Sequence, residues 1–260
     1  MNRIQHFVEQ EINSSLLSLA TEPESSAEPA SDAESSHCLF TPLHYERNYA
    51  YPLIVWLHGP DDDEHQVNQI MPLVSMRNYV GVGPRGTLSA TGFSEGYSWS
   101  QNERHIILAE RRVMSAISAA QTWLNIAPSR IYLAGYGCGG TMAFRIALNQ
   151  PRAFAGVLSL GGAFPTTLRP LGQLDAARRL KTLLISGRDS RQYPAAEVCD
   201  NLRLLHSAGM SISLRQYPCA DDLTTHMFSD MDRWIMEDLD SVPVVQPDTA
   251  EHRFGGRSSA

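Results

Sequence analysis

The feature that most constrains the fold is a strand-like run that ends in a dense group of glycines. Ile131–Ala134 is β-branched, aromatic or apolar throughout, which is typical of a strand. The next residues are Gly-Tyr-Gly-Cys-Gly-Gly, and the stretch after them, 141–149, has the composition of a helix. Glycine lets a backbone turn sharply and lets two elements approach closely. The segment therefore predicts a strand, a tight turn and a helix.

The rest of the chain alternates short apolar runs with amphipathic stretches. This alternation predicts an α/β fold with a mostly parallel central sheet and helices on both faces. The predicted strands are Leu39–Arg47, Leu53–Leu57, Val80–Val82, Ile131–Ala134, Gly156–Leu160, Thr182–Ser186 and Ser211–Tyr217. The predicted helices are His65–Met76, Glu103–Leu124, Thr141–Asn149, Ala195–Ser207 and Leu223–Asp240.

Length and charge narrow the class of protein. A chain of 260 residues suits one large domain, which we assign to residues 37–240. The net charge of −7 disfavours nucleic acid or an anionic membrane surface as a partner. The sequence contains no apolar run long enough to span a membrane.

The two ends differ in composition from this domain. Apolar residues recur at helical spacing in 1–20, which predicts a helix that docks on the domain or on a protein partner. Residues 21–36 are acidic and rich in Ser, Pro and Ala, so we expect a disordered linker. Residues 241–260 have the composition of a disordered tail.

Cysteines and acidic clusters give no sign of a metal or a cofactor. The four cysteines are widely spaced and the N-terminus lacks an apolar signal segment, so we expect reduced thiols and a cytoplasmic location. Residues 61–65 (Asp-Asp-Asp-Glu-His) precede a predicted helix. Acidic groups there stabilise a helix N-terminus through capping and the dipole, and this is the role we assign to them.

Four groups of motifs follow one another along the chain. They are 51–59 ending in His-Gly, 83–86 (Gly-Pro-Arg-Gly) with 96–99 (Gly-Tyr-Ser-Trp), 130–140 with its glycines, and 183–187 with Pro194, 217–218 and 232–237. Together they resemble the carboxylesterase/phospholipase/acyl-protein thioesterase branch of the α/β hydrolases. The resemblance covers roughly residues 38–240. It implies an α/β-hydrolase fold, no cofactor, and a small acyl or ester-like ligand.

The resemblance places Gly137 where the family carries its serine nucleophile, in Gly-x-Ser-x-Gly. Glycine has no side chain with which to attack a substrate. Cys138 is the alternative nucleophile, but that register puts Tyr136 where close approach of strand and helix needs a small residue. Cys138 therefore corresponds to the residue after the nucleophile, whose backbone N–H helps to bind the oxyanion.

The second oxyanion donor also departs from the family pattern. Gly59, Pro60 and Trp99 correspond to the oxyanion turn and the substrate cleft of the family. The donor would be the N–H of the residue after His-Gly, which is Pro60, and proline has none. Loss of one such donor costs about 3 kcal/mol of transition-state stabilisation where it has been tested.

The positions of the acid and the base carry other residue types. The resemblance places the acid at Ser190, with Asp189 just before it, and the histidine near Asp221. The nearest histidine is His226, in the first turns of a predicted helix. Each helical residue advances about 1.5 Å, whereas a base must lie within about 3 Å of its proton donor. His226 is therefore displaced from the place where a base is needed.

Two functions remain open at this point. Nucleophile, acid, base and one oxyanion donor all depart from the pattern together, which favours a catalytically impaired protein that binds a ligand or a partner. The alternative is an active ester or thioester hydrolase with a rebuilt site. It would use Cys138 and His226, with Asp189, Asp221 or Asp222 as the acid.

Overall fold

The computed structural model describes residues 36–89, 96–168 and 170–241. Its strands are β1 (His37–Phe40), β2 (Tyr51–Leu57), β3 (Val80–Pro84), β4 (Leu88–Ser89), β5 (Tyr97–Ser98), β6 (Ile126–Tyr136), β7 (Gly156–Leu160), β8 (Lys181–Gly187) and β9 (Ile212–Tyr217). Its helices are α1 (Gln66–Val74), α2 (Glu103–Trp123), α3 (Cys138–Asn149), α4 (Leu174–Ala177), α5 (Ala195–Ser207) and α6 (Thr225–Ser241).

Seven strands form one sheet in the order β1-β3-β2-β6-β7-β8-β9. The pair β1–β3 is antiparallel, and the pairs from β3 through β9 are parallel. The mostly parallel sheet predicted from the sequence is therefore confirmed. The remaining strands, β4 and β5, form a separate two-stranded ladder.

Helices cover both faces of the sheet. Strand β2 shows the reason, since all of its residues are buried and alternate ones enter different apolar clusters. Leu53, Val55 and Leu57 pack with apolar residues of α2, α3 and α5. Ile54 and Trp56 pack with apolar residues of α1 and α6. A strand buried on both faces is typical of a parallel sheet between two helical layers.

Some element boundaries differ from those predicted. The first strand spans 37–40, because Pro42 has no N–H to continue a ladder and His44 turns the chain with φ of 58°. The strand predicted at Ile131–Ala134 lies within the longer β6, which ends at Tyr136. Its pairing with β2 shifts register between Tyr51 and Leu53. The last helix begins at Thr225, two residues later than predicted.

The predictions for the two ends of the chain fall almost wholly outside the described residues. Of those segments, the structure describes Ser36, whose hydroxyl bonds Glu64, and Ser241, the last residue of α6. All four cysteines are free thiols. None of the helices in the described ranges has the length and apolar character needed to cross a membrane.

The parallel strands bring several of the singled-out residues to one edge of the sheet. Their carboxyl ends are followed by His58 after β2, Gly137 after β6, Gly161 after β7, Ser190 after β8 and Asp221 after β9. Ligands of open α/β sheets bind at this edge. A functional site is therefore expected at this edge of the sheet.

Candidate functional site

Gly137 lies at the centre of the sharp turn between β6 and α3. Its φ of 55° and ψ of −120° lie in a region that side chains rarely adopt. The turn is held by the N–H of Gly137, which donates to the carbonyl of Leu160 at 2.9 Å. A Cβ added at Gly137 would meet only Pro60 Cδ within 4 Å, at 3.4 Å. The turn thus has space for a side chain that the residue does not have.

Close packing explains the glycines on either side of this turn. A Cβ on Gly135 would lie 2.6 Å from the backbone of Gly139, and one on Gly139 would lie 2.3 Å from the carbonyl oxygen of Leu57. Real Cβ atoms do not approach backbone so closely, so neither position admits a side chain. The two glycines bracket Gly137 and fix it, rather than Cys138, at the centre of the turn.

Cys138 and His226 are not brought together. Cys138 begins α3, its Sγ lies 3.4 Å from Ser98 Oγ, and it packs on the apolar cluster shared by α2, α3 and α5. His226 is exposed on α6, which packs on the opposite face of the sheet. Among the hydrogen bonds of the described residues, none joins the His226 ring to Cys138.

Asp189 and Asp222 are the alternative acids. The Asp189 carboxylate is exposed and pairs with its neighbour Arg188 at 3.2 Å. Asp222 is exposed as well. Neither carboxylate forms a hydrogen bond with His226 or Cys138 within the part of the chain that the structure describes.

Ser190 and Asp221 contact each other directly. Ser190 Oγ donates a hydrogen bond to Asp221 Oδ1, and the N–H of Arg191 donates to Asp221 Oδ2 at 3.2 Å. Ser190 Oγ in turn accepts from the N–H of Tyr193 at 2.9 Å. The two positions that the resemblance assigns to the acid and the base are therefore hydrogen-bonded, but they carry a hydroxyl and a carboxylate.

Tyr136 fills the space between these positions and the His-Gly turn. A Cβ on Gly59 would lie 2.6 Å from its ring and one on Gly161 would lie 3.6 Å away. Its hydroxyl donates to the backbone carbonyl of Asp221. The cavity between Tyr136, Ser190 and Asp221 measures about 10 Å³, room for about one water molecule.

His58 serves the structure of the turn. Its imidazole is fully buried, Nδ1 lies 2.7 Å from the carbonyl oxygen of Gly59, and Nε2 accepts the N–H of Gly86 at 2.9 Å. Since Nε2 accepts, Nδ1 carries the proton and the ring is neutral. Burial lowers the pKa of His58. Trp99 is buried as well, and its Nε1 donates to the carbonyl of His58 at 3.1 Å.

Gln66 organises the same turn and was not identified from the sequence. Its Oε1 accepts from Trp56 Nε1 at 2.7 Å and from the N–H of Gly59 at 3.2 Å, while Nε2 donates to Asp62. The N–H of Gly59 is thus occupied and Pro60 has none. No periodicity or motif distinguishes this buried glutamine from a surface residue of the same helix.

The acidic cluster before α1 acts differently from the predicted capping. The N-cap residue is His65, which makes no side-chain cap bond. Asp63 instead accepts the N–H of His65 at 2.8 Å, just outside the helix. Ligand atoms of Asp63, Glu64 and His65 lie within 4.8 Å of one another, but the Glu64 carboxylate is already bound by Arg85.

The buried carboxylate of Glu64 forms an ion pair with the partly exposed Arg85. Arg85 Nε lies 2.8 Å from Glu64 Oε2, and the Ser36 hydroxyl donates to Oε1 at 2.7 Å. Burial alone would raise the pKa of Glu64. The hydrogen bonds from Arg85 and Ser36 outweigh it and lower that pKa to about 2. The family-like Pro-Arg-Gly segment thus uses its arginine for an internal contact.

Comparisons with known proteins agree with this architecture. Residues 45–237 match the model of the phospholipase/carboxylesterase family. A putative esterase, NocK, from Nocardia uniformis subsp. tsuyamanensis is 27% identical over 133 residues, which are 47% of this chain and 37% of that protein. The chain therefore matches little more than a third of that relative's length.

Two solved structures are similar over most of the chain. A carboxylesterase from Mesorhizobium loti has a TM-score of 0.65 and 17% identity, covering 79% of this chain and 96% of that one. The Bacillus cereus carboxylesterase has a TM-score of 0.63 and 17% identity, covering 80% and 96%. At this identity the likeness establishes the shared α/β-hydrolase fold, which confirms the fold predicted from the motifs.

Proposed function

The chain belongs to the phospholipase/carboxylesterase family of α/β hydrolases, and we propose that within it this protein binds a ligand or a partner without hydrolysing an ester. The observation that carries the proposal is the joint replacement of the catalytic positions. Gly137 occupies the turn of the nucleophile, and Ser190 and Asp221 occupy the hydrogen-bonded positions of acid and base. Hydrolysis by this route needs an attacking group and a base that accepts its proton.

Asp221 and Ser190 are poorly suited to act as base and nucleophile in place of the missing groups. Asp221 is held through both carboxylate oxygens, by Ser190 and by the N–H of Arg191. A carboxylate is a far weaker base than an imidazole near neutral pH. Ser190 accepts and donates within the same pair of loops. It belongs to a different loop from Gly137, at the acid position.

The space at these positions supports the same proposal. A cavity of about 10 Å³ beside Tyr136 does not admit an acyl group. An acyl or ester-like ligand at this edge would have to lie over Gly137, where an added Cβ meets only Pro60 Cδ. There it would find no N–H from Gly59, which bonds Gln66, and none from Pro60.

A direct assay tests the proposal. The protein is incubated with p-nitrophenyl acetate, butyrate and octanoate, and separately with a fluorophosphonate probe, beside the Bacillus cereus carboxylesterase as a positive control. We expect no hydrolysis above the buffer rate and no labelling. Turnover or labelling that disappears when a single residue is substituted would overturn the proposal.

The second candidate is a hydrolase that uses Cys138 as its nucleophile. It is favoured by the position of a half-buried thiol at the N-terminus of α3, one residue from the centre of the turn. It is opposed by the contact of that thiol with Ser98 and by the position of His226 on the other face. If wild type hydrolyses a thioester and Cys138→Ala does not, this candidate replaces the first.

We also propose that the protein is cytoplasmic. Four free thiols without a disulfide are compatible with a reducing compartment, and we extend the sequence-based expectation of a cytoplasmic protein on that basis. Subcellular fractionation against cytoplasmic and extracytoplasmic marker proteins tests it.

A further inference from the structure

Arg145 is a charged residue on the buried face of α3. Its side chain is 3% exposed, and its neighbours along the helix, Phe144 and Ile146, belong to the apolar core. An ionised side chain in such surroundings is costly unless an opposite charge or a ligand compensates it. The groups that contact this guanidinium therefore decide whether its charge is compensated.

Those contacts are all with neutral oxygens. Nε donates to Gln101 Oε1 at 3.0 Å, Nη1 to the carbonyl of Thr167 at 2.7 Å, and Nη2 to the Thr167 hydroxyl at 3.1 Å. Among the ion pairs of the described residues, none includes Arg145. Burial lowers its pKa, with no acidic neighbour acting in the other direction. A guanidinium nevertheless stays protonated at neutral pH.

Arg145 also lines a cavity of about 350 Å³ between α2 and α3. This volume lies at the lower end of the range for small-molecule sites. Two carboxylates, Glu103 and Glu110, line the same cavity without pairing with the guanidinium. Glu110 accepts from Asn149 Nδ2 at 2.9 Å, and Glu103 is exposed at the start of α2.

Both charged and apolar side chains line the cavity. One cation and two anions face it from different residues, and Ile106, Ile107 and Leu168 supply apolar surface. A simple anion would gain from Arg145 but be repelled by the glutamates, and a simple cation would meet the reverse. A molecule with a carboxylate and an ammonium group, joined to an apolar group, gains from all three.

We propose that this cavity binds a free α-amino acid with an apolar side chain. Its carboxylate would bind Arg145, and its ammonium group would bind Glu103 and Glu110. The side chain would lie against Ile107 and Leu168. Arg145 is suited to the first role because a guanidinium has five N–H donors, of which the contacts with Gln101 and Thr167 use three. The site is separate from the turn at Gly137, so the inference does not depend on the proposed function.

Isothermal titration calorimetry tests the chemistry of the ligand. The full chain is titrated with L-leucine, L-methionine and L-phenylalanine, and with two analogues of leucine that each lack one charge: 4-methylpentanoate and 3-methylbutylamine. We expect at least one amino acid to bind at least tenfold more tightly than either analogue, a difference of about 1.4 kcal/mol. Equal binding of 4-methylpentanoate and leucine, or no binding of any amino acid, would overturn the proposal.

Substitutions test the residues. Arg145→Met removes the guanidinium and leaves an apolar side chain of similar length. Glu103→Gln changes an exposed residue that does not contribute to the core. Each should weaken amino acid binding at least tenfold. Arg203→Met, at an exposed arginine of α5, is the matched control and should bind as wild type does.

The outcome remains decisive if Arg145→Met does not fold. We expect Glu103→Gln and Glu110→Gln to fold, because Glu103 is exposed and a glutamine at position 110 keeps an oxygen that can accept from Asn149. In that case they carry the test of the charge pattern. Unchanged binding in both would overturn the proposal. The ester assay reports on Gly137 and its surroundings alone, so failure of one proposal is distinguishable from failure of the other.

Discussion

The hydroxyl of Ser190 donates a hydrogen bond to the carboxylate of Asp221, which joins the loops that follow β8 and β9. A hydrogen bond to a charged group contributes about 1.5–3 kcal/mol to stability. The bond therefore holds together the two loops to which the family resemblance assigns the acid and the histidine. The pair that joins them consists of a hydroxyl and a carboxylate.

This contact should be measurable as a coupling free energy. Ser190→Ala and Asp221→Asn are each expected to lower the free energy of unfolding, and the double variant should lose less than the sum by about 1–2 kcal/mol. Urea denaturation of the four proteins gives the value. Ser190→Ala combined with Asp189→Asn is the control, since Asp189 pairs with Arg188 and should combine additively. A coupling within about 0.5 kcal/mol of zero would contradict the contact.

Restoring the family residues should restore a reactive serine. The variant Gly137→Ser/Ser190→Asp/Asp221→His places each triad group on the position that the family resemblance assigns to it, in the loops that follow β6, β8 and β9. We expect labelling by a fluorophosphonate probe and hydrolysis of p-nitrophenyl acetate above wild type. Because the donors at Gly59 and Pro60 remain occupied or missing, the rate should stay about a hundredfold or more below that of a complete enzyme.

Two controls distinguish the reactivity of the rebuilt triad from that of a serine alone and from that of other residues. Gly137→Ser in the wild-type background should label at least a hundredfold more slowly than the triple variant, because general-base assistance contributes about 10²–10⁴. Gly137→Ala combined with Ser190→Asp and Asp221→His should not label. Labelling of this alanine variant would show that another residue reacts.

The ion pair of Glu64 and Arg85 should make stability depend on acidic pH. The folded pKa of Glu64 is about 2, below its ordinary value of 4.5, so its contribution is complete above about pH 5 and is lost as pH falls toward 2. At about 1.4 kcal/mol per pKa unit, the loss is about 3 kcal/mol. In denaturation experiments, the stability difference between wild type and Glu64→Gln should shrink by this order between about pH 5 and 2. Glu197→Gln, which removes an acidic group of α5, is the control, and a constant difference would contradict the pair.

The neutral state of His58 should appear in its titration. Burial lowers its pKa below the ordinary 6.5, so the unfolded chain binds the proton more readily and stability falls as pH drops below about 6.5. Nitrogen-15 NMR of the ring should show a protonated Nδ1 and an unprotonated Nε2 at neutral pH. His58→Gln should have a shallower loss of stability than wild type between about pH 7 and 5. His226→Gln controls for the removal of a histidine, and an imidazolium at pH 7 would contradict the assignment.

Much of the fold could be predicted because burial on two faces leaves a clear pattern. The apolar run at Leu53–Leu57 and the glycines at 135–140 were sufficient for a buried strand and a close strand–helix turn. The first strand was predicted to run too far, because Leu43 and Tyr45 follow Pro42 in the sequence while β1 ends at Phe40.

The site was harder to predict because its contacts depend on side-chain direction. The motif order placed Gly137, Ser190 and Asp221, but no spacing rule indicates that Ser190 and Asp221 bond each other. Nor does the sequence show that the Tyr136 ring lies between two glycines. Arg145 did leave a signal, an arginine among core residues in Met-Ala-Phe-Arg-Ile-Ala-Leu. A charge at a position that helical periodicity assigns to the core indicates a compensating partner.

The backbone at Gly137 has a consequence for how the protein could change. In an elbow that carries a serine, one residue must be both reactive and held at a dihedral that opposes folding by about 1–3 kcal/mol. Glycine adopts φ of 55° without that steric strain, so the turn in this protein does not carry this cost in folding free energy. A mutational route to a serine at this position would begin with a less stable chain. The first substitution on such a route is therefore disfavoured before any chemistry is gained.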